Sequence, residues 1–306
     1  MRLLKSRQSD ELQLVLHLGL GLIGRSIQRH LKLAQFEAIE TYKLNWKDTR
    51  QSNATLKRAF QDIALQAGMH ETRIDIIWSA GQAGFSANRD DFETEMSVFK
   101  SLLQKGTELS QAYTVTLHHF SSAGGLFEGQ RFVRKDTEPV PRRAYGDIKL
   151  AQEQMIGKLP KSVVRAIYRP SSVYGYNGRG NRAGLVTALA ERALAGQTIE
   201  IHGRADTIRD YVFVEDIGVF LARRIQERTA KSEIYFLTGG KPTSMVEMLK
   251  TVQRIMNKRL LFRFSQTGEN TRHMSFDRSV FPTDWFPTPT IIGLKKTIND
   301  IQKDFV

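Results

Sequence analysis

Leu12-Gln13-Leu14-Val15-Leu16-His17-Leu18 runs without a break into Gly19-Leu20-Gly21-Leu22-Ile23-Gly24. The first seven residues read as a buried strand. Arg25–Leu33, which follows, has the spacing of an amphipathic helix. A G-x-G-x-x-G turn between a strand and a helix is the context in which such glycines carry meaning. They let the backbone turn tightly and approach a pyrophosphate, while the helix N-terminus offers free N–H groups to the anion. Gly19, Gly21, Leu22, Ile23, Gly24 and Arg25 are therefore candidate cofactor-binding residues.

Working outward, residues 1–11 are polar and basic and read as a loose N-terminal arm. The second strand is expected near Ala38–Leu44. A turn of this kind usually has a carboxylate at the end of that strand, to bind a ribose hydroxyl. Here the expected end falls near Tyr42-Lys43 and Glu40 comes too early. Lys43, Lys47 and Arg25 supply positive charge instead, which favours a dinucleotide with a 2′-phosphate, NADP, over NAD. Leu56–Ala67 is an expected helix. Ile74–Trp78 is an expected buried strand ending in Ser79-Ala80-Gly81, where small residues such as Ala80 let a cofactor lie close.

Phe92–Leu103 has helical periodicity, and Val115–Phe120 is the next strand. Its His118 and His119 point to opposite faces, so the pair is a poor metal site and reads as core packing. Ser121 and Ser122 follow at the strand's C-terminal end. A helix carrying Tyr145 and Lys149 continues through Glu153, and Val163–Tyr168 closes into Arg169–Gly175. This alternation argues for a parallel doubly wound sheet.

Later segments change character. Helices are expected over Leu185–Ala195, Ser244–Met256 and Leu294–Phe305. Strands are expected at Ile199–His202, Ile234–Leu237 and Leu260–Phe264. The fold class is thus α/β, a Rossmann-type doubly wound parallel sheet with a smaller C-terminal substrate-binding lobe. The dinucleotide-binding domain spans 1–175 with returning segments near 210–238. The lobe spans 176–209 and 239–306.

The chain has 306 residues, 41% hydrophobic and 25% charged, ordinary values for a folded protein. The absence of Cys excludes disulfides, zinc–thiolate centres and thiol nucleophiles. No run approaches the roughly 18 unbroken apolar residues of a membrane helix, and a cytoplasmic location is expected. The formal charge of +13 is spread over separate sites, Arg142-Arg143, Arg179, Arg182, Arg204, Arg223-Arg224 and Lys258-Arg259 among them. Dispersed charge of this kind reads as a solvated face, so neither nucleic acid nor membrane is an expected partner, and no metal is expected.

Tyr145 and Lys149 lie four residues apart, one turn from each other on one helix face. A phenol ionises near pH 10 in water, and an adjacent ammonium favours its charged form. Set beside the serine pair and the glycine turn, these residues describe an acid–base centre for hydride transfer with a nicotinamide.

The motifs together resemble the extended short-chain dehydrogenase/reductase family, the NAD-dependent epimerase/dehydratase or sugar-nucleotide epimerase family. They are G-L-G-L-I-G at Gly19–Gly24, S-S-A at Ser121–Ala123, Y-G-D-I-K-L-A-Q-E at Tyr145–Glu153, R-P-S-S-V-Y-G at Arg169–Gly175 and R-D-Y-V-F-V-E-D at Arg209–Asp216. The resemblance implies an acid–base role for Tyr145, a hydrogen bond from Ser122 to the reacting oxygen, and contact of Lys149 with the nicotinamide ribose. It further implies cofactor contacts at Pro170 and Ser172 and a nucleotide-diphosphate contact at Arg209, with Arg272 as a second. The other reading of Arg209 is an ion pair with Asp210 or Asp216. A homodimer through a helix pair that includes the Tyr145 helix is likewise implied. The chain departs from the family pattern at Leu18, where a glycine is usual, at Glu95 and Ser172, where Asn is common, and at Ile148, where Ser is usual.

Dehydratases of this family follow the catalytic hydroxyl residue with Asp-Glu. Ala123-Gly124 stand there, which argues against dehydration. What remains is 4-keto reduction of a nucleotide-activated sugar with fresh NADPH, or 4-epimerisation on tightly held NAD. Some relatives without the catalytic residues act as NADP-sensing or RNA-binding regulators; the presence of Ser122, Tyr145 and Lys149 argues against that reading.

Overall fold

A computed structural model describes residues 1–6, 12–81, 92–181, 184–228, 230–265 and 271–305. Arg182 lies outside them. In chain order the elements are β1 (Arg2–Ser6), β2 (Leu12–Leu18), α1 (Leu22–Leu33), β3 (Phe36–Thr41), α2 (Thr49–Ala67), β4 (Thr72–Trp78), α3 (Glu93–Leu109), β5 (Thr114–Phe120), α4 (Ala123–Leu126), α5 (Ala144–Gly157) and β6 (Val163–Pro170). There follow β7 (Ser172–Tyr174), α6 (Leu185–Leu194), β8 (Ile199–His202), β9 (Ile208–Phe213), α7 (Val214–Gln226), β10 (Glu233–Leu237), β11 (Pro242–Ser244), α8 (Met245–Met256), β12 (Phe262–Ser265) and α9 (Thr290–Phe305).

Seven strands form the main sheet in the order β10-β6-β5-β4-β2-β1-β3. β2, β4, β5 and β6 are parallel neighbours in continuous register. The half of the sheet beyond β2 departs from expectation. Residues 2–6 are not a loose arm but a strand, antiparallel to β2 on one side and to β3 on the other. Leu3 and Leu4 are both buried, so both faces of this short strand are covered. The strand after α1 ends at Thr41 rather than Leu44, and it lies one strand further from β2 than in a simple doubly wound sheet.

Local signals set the element ends. Asp48 caps α2 by accepting from the Gln51 N–H at 3.0 Å, and Ser244 caps α8 from the Glu247 N–H at 3.2 Å, each satisfying an orphan donor of the first turn. Two compact units result. The first comprises 1–126, 141–169 and 218–235; the second comprises 127–140, 170–217 and 236–306. The boundaries differ from those read in the sequence: 127–140, 170–175, 210–217 and 236–238 fall in the second unit. In the first unit Leu14, Leu16, Leu18, Leu56, Ile63, Ile76, Val98 and Leu102 build the core. In the second, Tyr174, Leu189, Phe213, Met248, Val252, Leu294 and Ile298 do so.

Candidate active site

The glycine turn is fixed from below. Gly19 has φ +102°, and a Cβ there would collide with the backbone of Ser79 and Ala80. A Cβ on Gly24 would collide with the Gly19 carbonyl. The turn and the end of β4 therefore pack backbone to backbone, which is what the small Ala80, itself buried, permits. Ser79 Oγ lies 3.1 Å from both the Leu18 and Gly19 carbonyl oxygens and 2.9 Å from His17 Nε2. Above the turn the space is open: a Cβ on Gly21 would meet nothing within 4 Å. Among the described residues no side chain caps α1 and no acid stands in its first turn. The N–H groups at Leu22 and Ile23 thus suit an anionic group such as a pyrophosphate. Arg25 turns back, its Nε donating to the Leu20 carbonyl at 3.1 Å. Lys43 is exposed after β3.

Ser122, Tyr145 and Lys149 lie in the same unit as the turn. Ser122 follows β5, and its Oγ accepts the Gly125 N–H at 3.0 Å. That bond uses a lone pair and leaves the hydroxyl proton to donate. Gly125 packs on Tyr145: a Cβ there would sit 3.0 Å from ring carbons of Tyr145. The glycines after Ser122, read in the sequence only as lacking an acid, let the four-residue α4 approach the tyrosine ring. Lys149 Nζ stands 5.9 Å from the Tyr145 ring centroid.

Lys149 is 4% exposed, and its ammonium is held by groups that sequence reasoning did not assemble. Nζ donates to Gln152 Oε1 at 3.2 Å, and Gln152 Nε2 donates to Glu95 Oε1 at 3.1 Å. Glu95 Oε1 is 3.9 Å from Lys149 Nζ. The position where the family often has Asn thus carries a buried carboxylate that balances the lysine. Glu153, last residue of the tyrosine motif, takes Arg169 in a fork: Nε to Oε1 at 3.0 Å and Nη2 to Oε2 at 2.6 Å. Two sequence motifs are joined by one buried ion pair.

The two histidines of β5 are both fully buried. His118 Nε2 is 2.9 Å from Asp75 Oδ1, and its Nδ1 is 2.9 Å from Tyr168 Oη. His119 packs on Phe99 with centroids 5.3 Å apart. No group of three or more ligands that could hold a metal is found among the described residues.

Pro170, Ser172, Arg209 and Arg272 belong to the second unit. Pro170 ends β6. Ser172 starts β7, in register with Tyr211 of the parallel β9. Arg209 donates from Nη1 to the Arg272 carbonyl, so the two arginines are brought together. Arg209 pairs with Glu128, Nη2 to Oε1 at 3.8 Å, while Asp210 and Asp216 bond to other groups. Asp210 is buried and clamps three strand ends, accepting from Ser171 Oγ at 2.6 Å, Gly239 N at 2.7 Å and Gly240 N at 2.8 Å. Asp216 accepts from Thr288, at 2.6 Å from Oγ1 and 2.8 Å from N.

Comparisons with known proteins bear on the family and the fold. The family model described as "NAD dependent epimerase/dehydratase family" matches residues 18–237, and the chain belongs to that family of enzymes. Two solved structures share the fold. UDP-glucose 4-epimerase of Thermus thermophilus, in complex with NAD, is 20% identical, with 94% of this chain and 98% of that one covered and a TM-score of 0.76. UDP-glucose 4-epimerase of Thermotoga maritima, with UDP-glucose, is 19% identical, with 95% and 99% covered and a TM-score of 0.73. A dTDP-glucose 4,6-dehydratase of Neisseria gonorrhoeae is 23% identical over 328 residues, covering 92% of both chains. No helix among the described residues is long and apolar enough to cross a membrane.

Proposed function

We propose that this enzyme reduces the 4-keto group of a nucleotide-activated sugar, taking a fresh reduced dinucleotide, NADPH, at each turnover. One observation carries the reading: Ser122, Tyr145 and Lys149 gather in the unit that holds the glycine turn, and the residues after Ser122 are Ala123 and Gly124. Elimination needs a further acid and base beside the sugar, and none follows the serine. Plain hydride and proton transfer needs only the three residues.

A bound nicotinamide supplies or accepts the hydride. The protein does the rest. Tyr145 delivers a proton to the carbonyl oxygen as charge builds there. Ser122, whose proton is left to donate, steadies the same oxygen. Lys149, with N–H donors beyond the one given to Gln152, holds the ribose hydroxyls. Gly19, Gly21, Leu22, Ile23, Gly24 and Ala80 form the pyrophosphate seat, and Arg25 and Lys43 lie on its flank. Pro170 and Ser172 line the cofactor. Arg209 and Arg272 hold the diphosphate of the substrate, with Glu128 fixing the Arg209 fork.

The second reading is 4-epimerisation on a tightly held NAD, supported by relatives named as UDP-glucose 4-epimerases. One experiment separates the two. Purified enzyme is given NADPH and a UDP- or dTDP-4-keto sugar, and the fall in nicotinamide absorbance is followed. Reduction of the ketone with consumption of NADPH is expected. Stoichiometric NAD in the purified protein, conversion of UDP-glucose to UDP-galactose and no NADPH consumption would establish the second reading instead.

A further inference from the structure

β1 changes what can read the adenosine ribose of a dinucleotide. In a simple doubly wound sheet the strand after the first helix lies beside the first strand, and the residue at its end reaches the ribose. Here β1 occupies that place, antiparallel between β2 and β3. Strands lie about 4.8 Å apart, so β3 stands roughly 10 Å from β2. Glu40, next to last in β3, sits on this outer strand. It is exposed, and its Oε1 accepts the Thr41 N–H at 3.0 Å.

The residue at the inner place is Arg2. It is paired with His17 of β2 and Thr41 of β3, level with the C-terminal ends of the parallel strands. His17 is two residues before Gly19. Met1 and Leu3 pack among residues of α2 and α3. By alternation Arg2 lies on the opposite face, as does its cross-strand neighbour His17. His17 Nε2 meets Ser79 Oγ, and that hydroxyl meets the Gly19 carbonyl. Arg2 is therefore two side chains away from the glycine turn itself. Its Nε is buried without a hydrogen-bond partner, and so is His17 Nδ1. A buried guanidinium nitrogen left unpaired is costly, and an oxyanion is the group that suits a guanidinium fork.

We infer that Arg2, delivered by the inserted strand, is the residue that recognises the adenosine ribose of the cofactor and selects a dinucleotide carrying a 2′-phosphate. The inference rests on the proposed dinucleotide site. It differs from a reading in which Lys43 or Glu40 does this work, because both belong to the displaced strand or the segment after it.

The test uses fragments that carry the ribose without the nicotinamide. Adenosine 2′,5′-bisphosphate and 5′-ADP are titrated by calorimetry into the full chain and into Arg2→Gln, Arg2→Lys and Glu40→Gln, with melting temperature as the check on folding. The wild type is expected to prefer the 2′-phosphate. Arg2→Gln should weaken adenosine 2′,5′-bisphosphate by about 10- to 100-fold, the loss of one charge-assisted hydrogen bond, and leave 5′-ADP nearly unchanged. Arg2→Lys should restore part of the preference, and Glu40→Gln should alter neither fragment. If both fragments bind and Arg2→Gln leaves their ratio unchanged, Arg2 is not the reader while the dinucleotide site stands. If 5′-ADP binding is lost in Glu40→Gln alone, the outer strand reads the ribose and the inference is overturned. If neither fragment nor either intact dinucleotide binds the wild type, the dinucleotide site fails and the inference with it.

Discussion

Tyr145 keeps its ring against Gly125 whether or not its hydroxyl is present, which makes Tyr145→Phe a clean substitution. It removes the proposed proton donor and leaves the packing. The expected outcome is a fall in kcat of about 10²- to 10⁴-fold, the usual worth of a positioned acid, with nucleotide-sugar affinity unchanged. Steady-state kinetics beside equilibrium binding checks it; a variant that turned over at the wild-type rate would remove Tyr145 from the chemistry. Glu95 belongs to the same scale. Glu95→Ala strands the Lys149 ammonium, which is buried and has Gln152 as its remaining neutral partner. Removing one partner of a buried pair costs about 3–5 kcal/mol. Urea unfolding should show a loss of that order, and Glu95→Gln a smaller one, because an amide can still accept from Gln152.

At the scale of elements, the glycine turn is a junction between β2, α1 and β4 rather than a loop on its own. Gly24 faces the Gly19 carbonyl, so a methyl group there must push the first turn of α1 off the strand ends. Gly24→Ala is expected to abolish the thermal stabilisation given by NADP or NAD, since a ligand stabilises only the state that binds it, while the apo protein stays folded. A wild-type thermal shift in that variant would show that the turn does not seat the pyrophosphate. Asp210 plays a similar joining part in the second unit, where one carboxylate satisfies Ser171 and two glycine N–H groups. Burial raises the pKa of this carboxyl above the ordinary carboxylate range, although each of those bonds works the other way.

At the scale of the whole molecule, buried histidines tie stability to pH. Burial first, then nearby positive charge, lowers the pKa of His17 to about 3 from its ordinary 6.5, and His119 is depressed for the same first reason. Below pH 6.5 the unfolded chain takes up protons at these positions and the folded chain does not. Stability is therefore full above that value and falls as pH drops toward 3, by about 1.4 kcal/mol per unit for each such group. His17→Gln should flatten the slope between pH 6 and pH 4 in urea unfolding followed as a function of pH. An unchanged slope would mean that His17 is protonated in the folded protein.

The sequence by itself determined the class of sheet and the order of strand, glycine turn and helix, and it singled out Ser122, Tyr145 and Lys149 as candidates. These depend on local pattern: a strand running into a turn, a one-turn spacing, a motif order. Tertiary structure alone decided three other matters. It placed residues 2–6 inside the sheet, because a short basic segment takes strand structure from neighbours on both sides and not from its own pattern. It gave Lys149 a buried carboxylate from α3, a partner 54 residues away in the chain that no spacing rule could supply. It also moved the strand after α1 outward and put Arg2 on the strand between β2 and β3, level with His17. Strand order depends on which segments bury their faces together, and the chain's linear order does not record it.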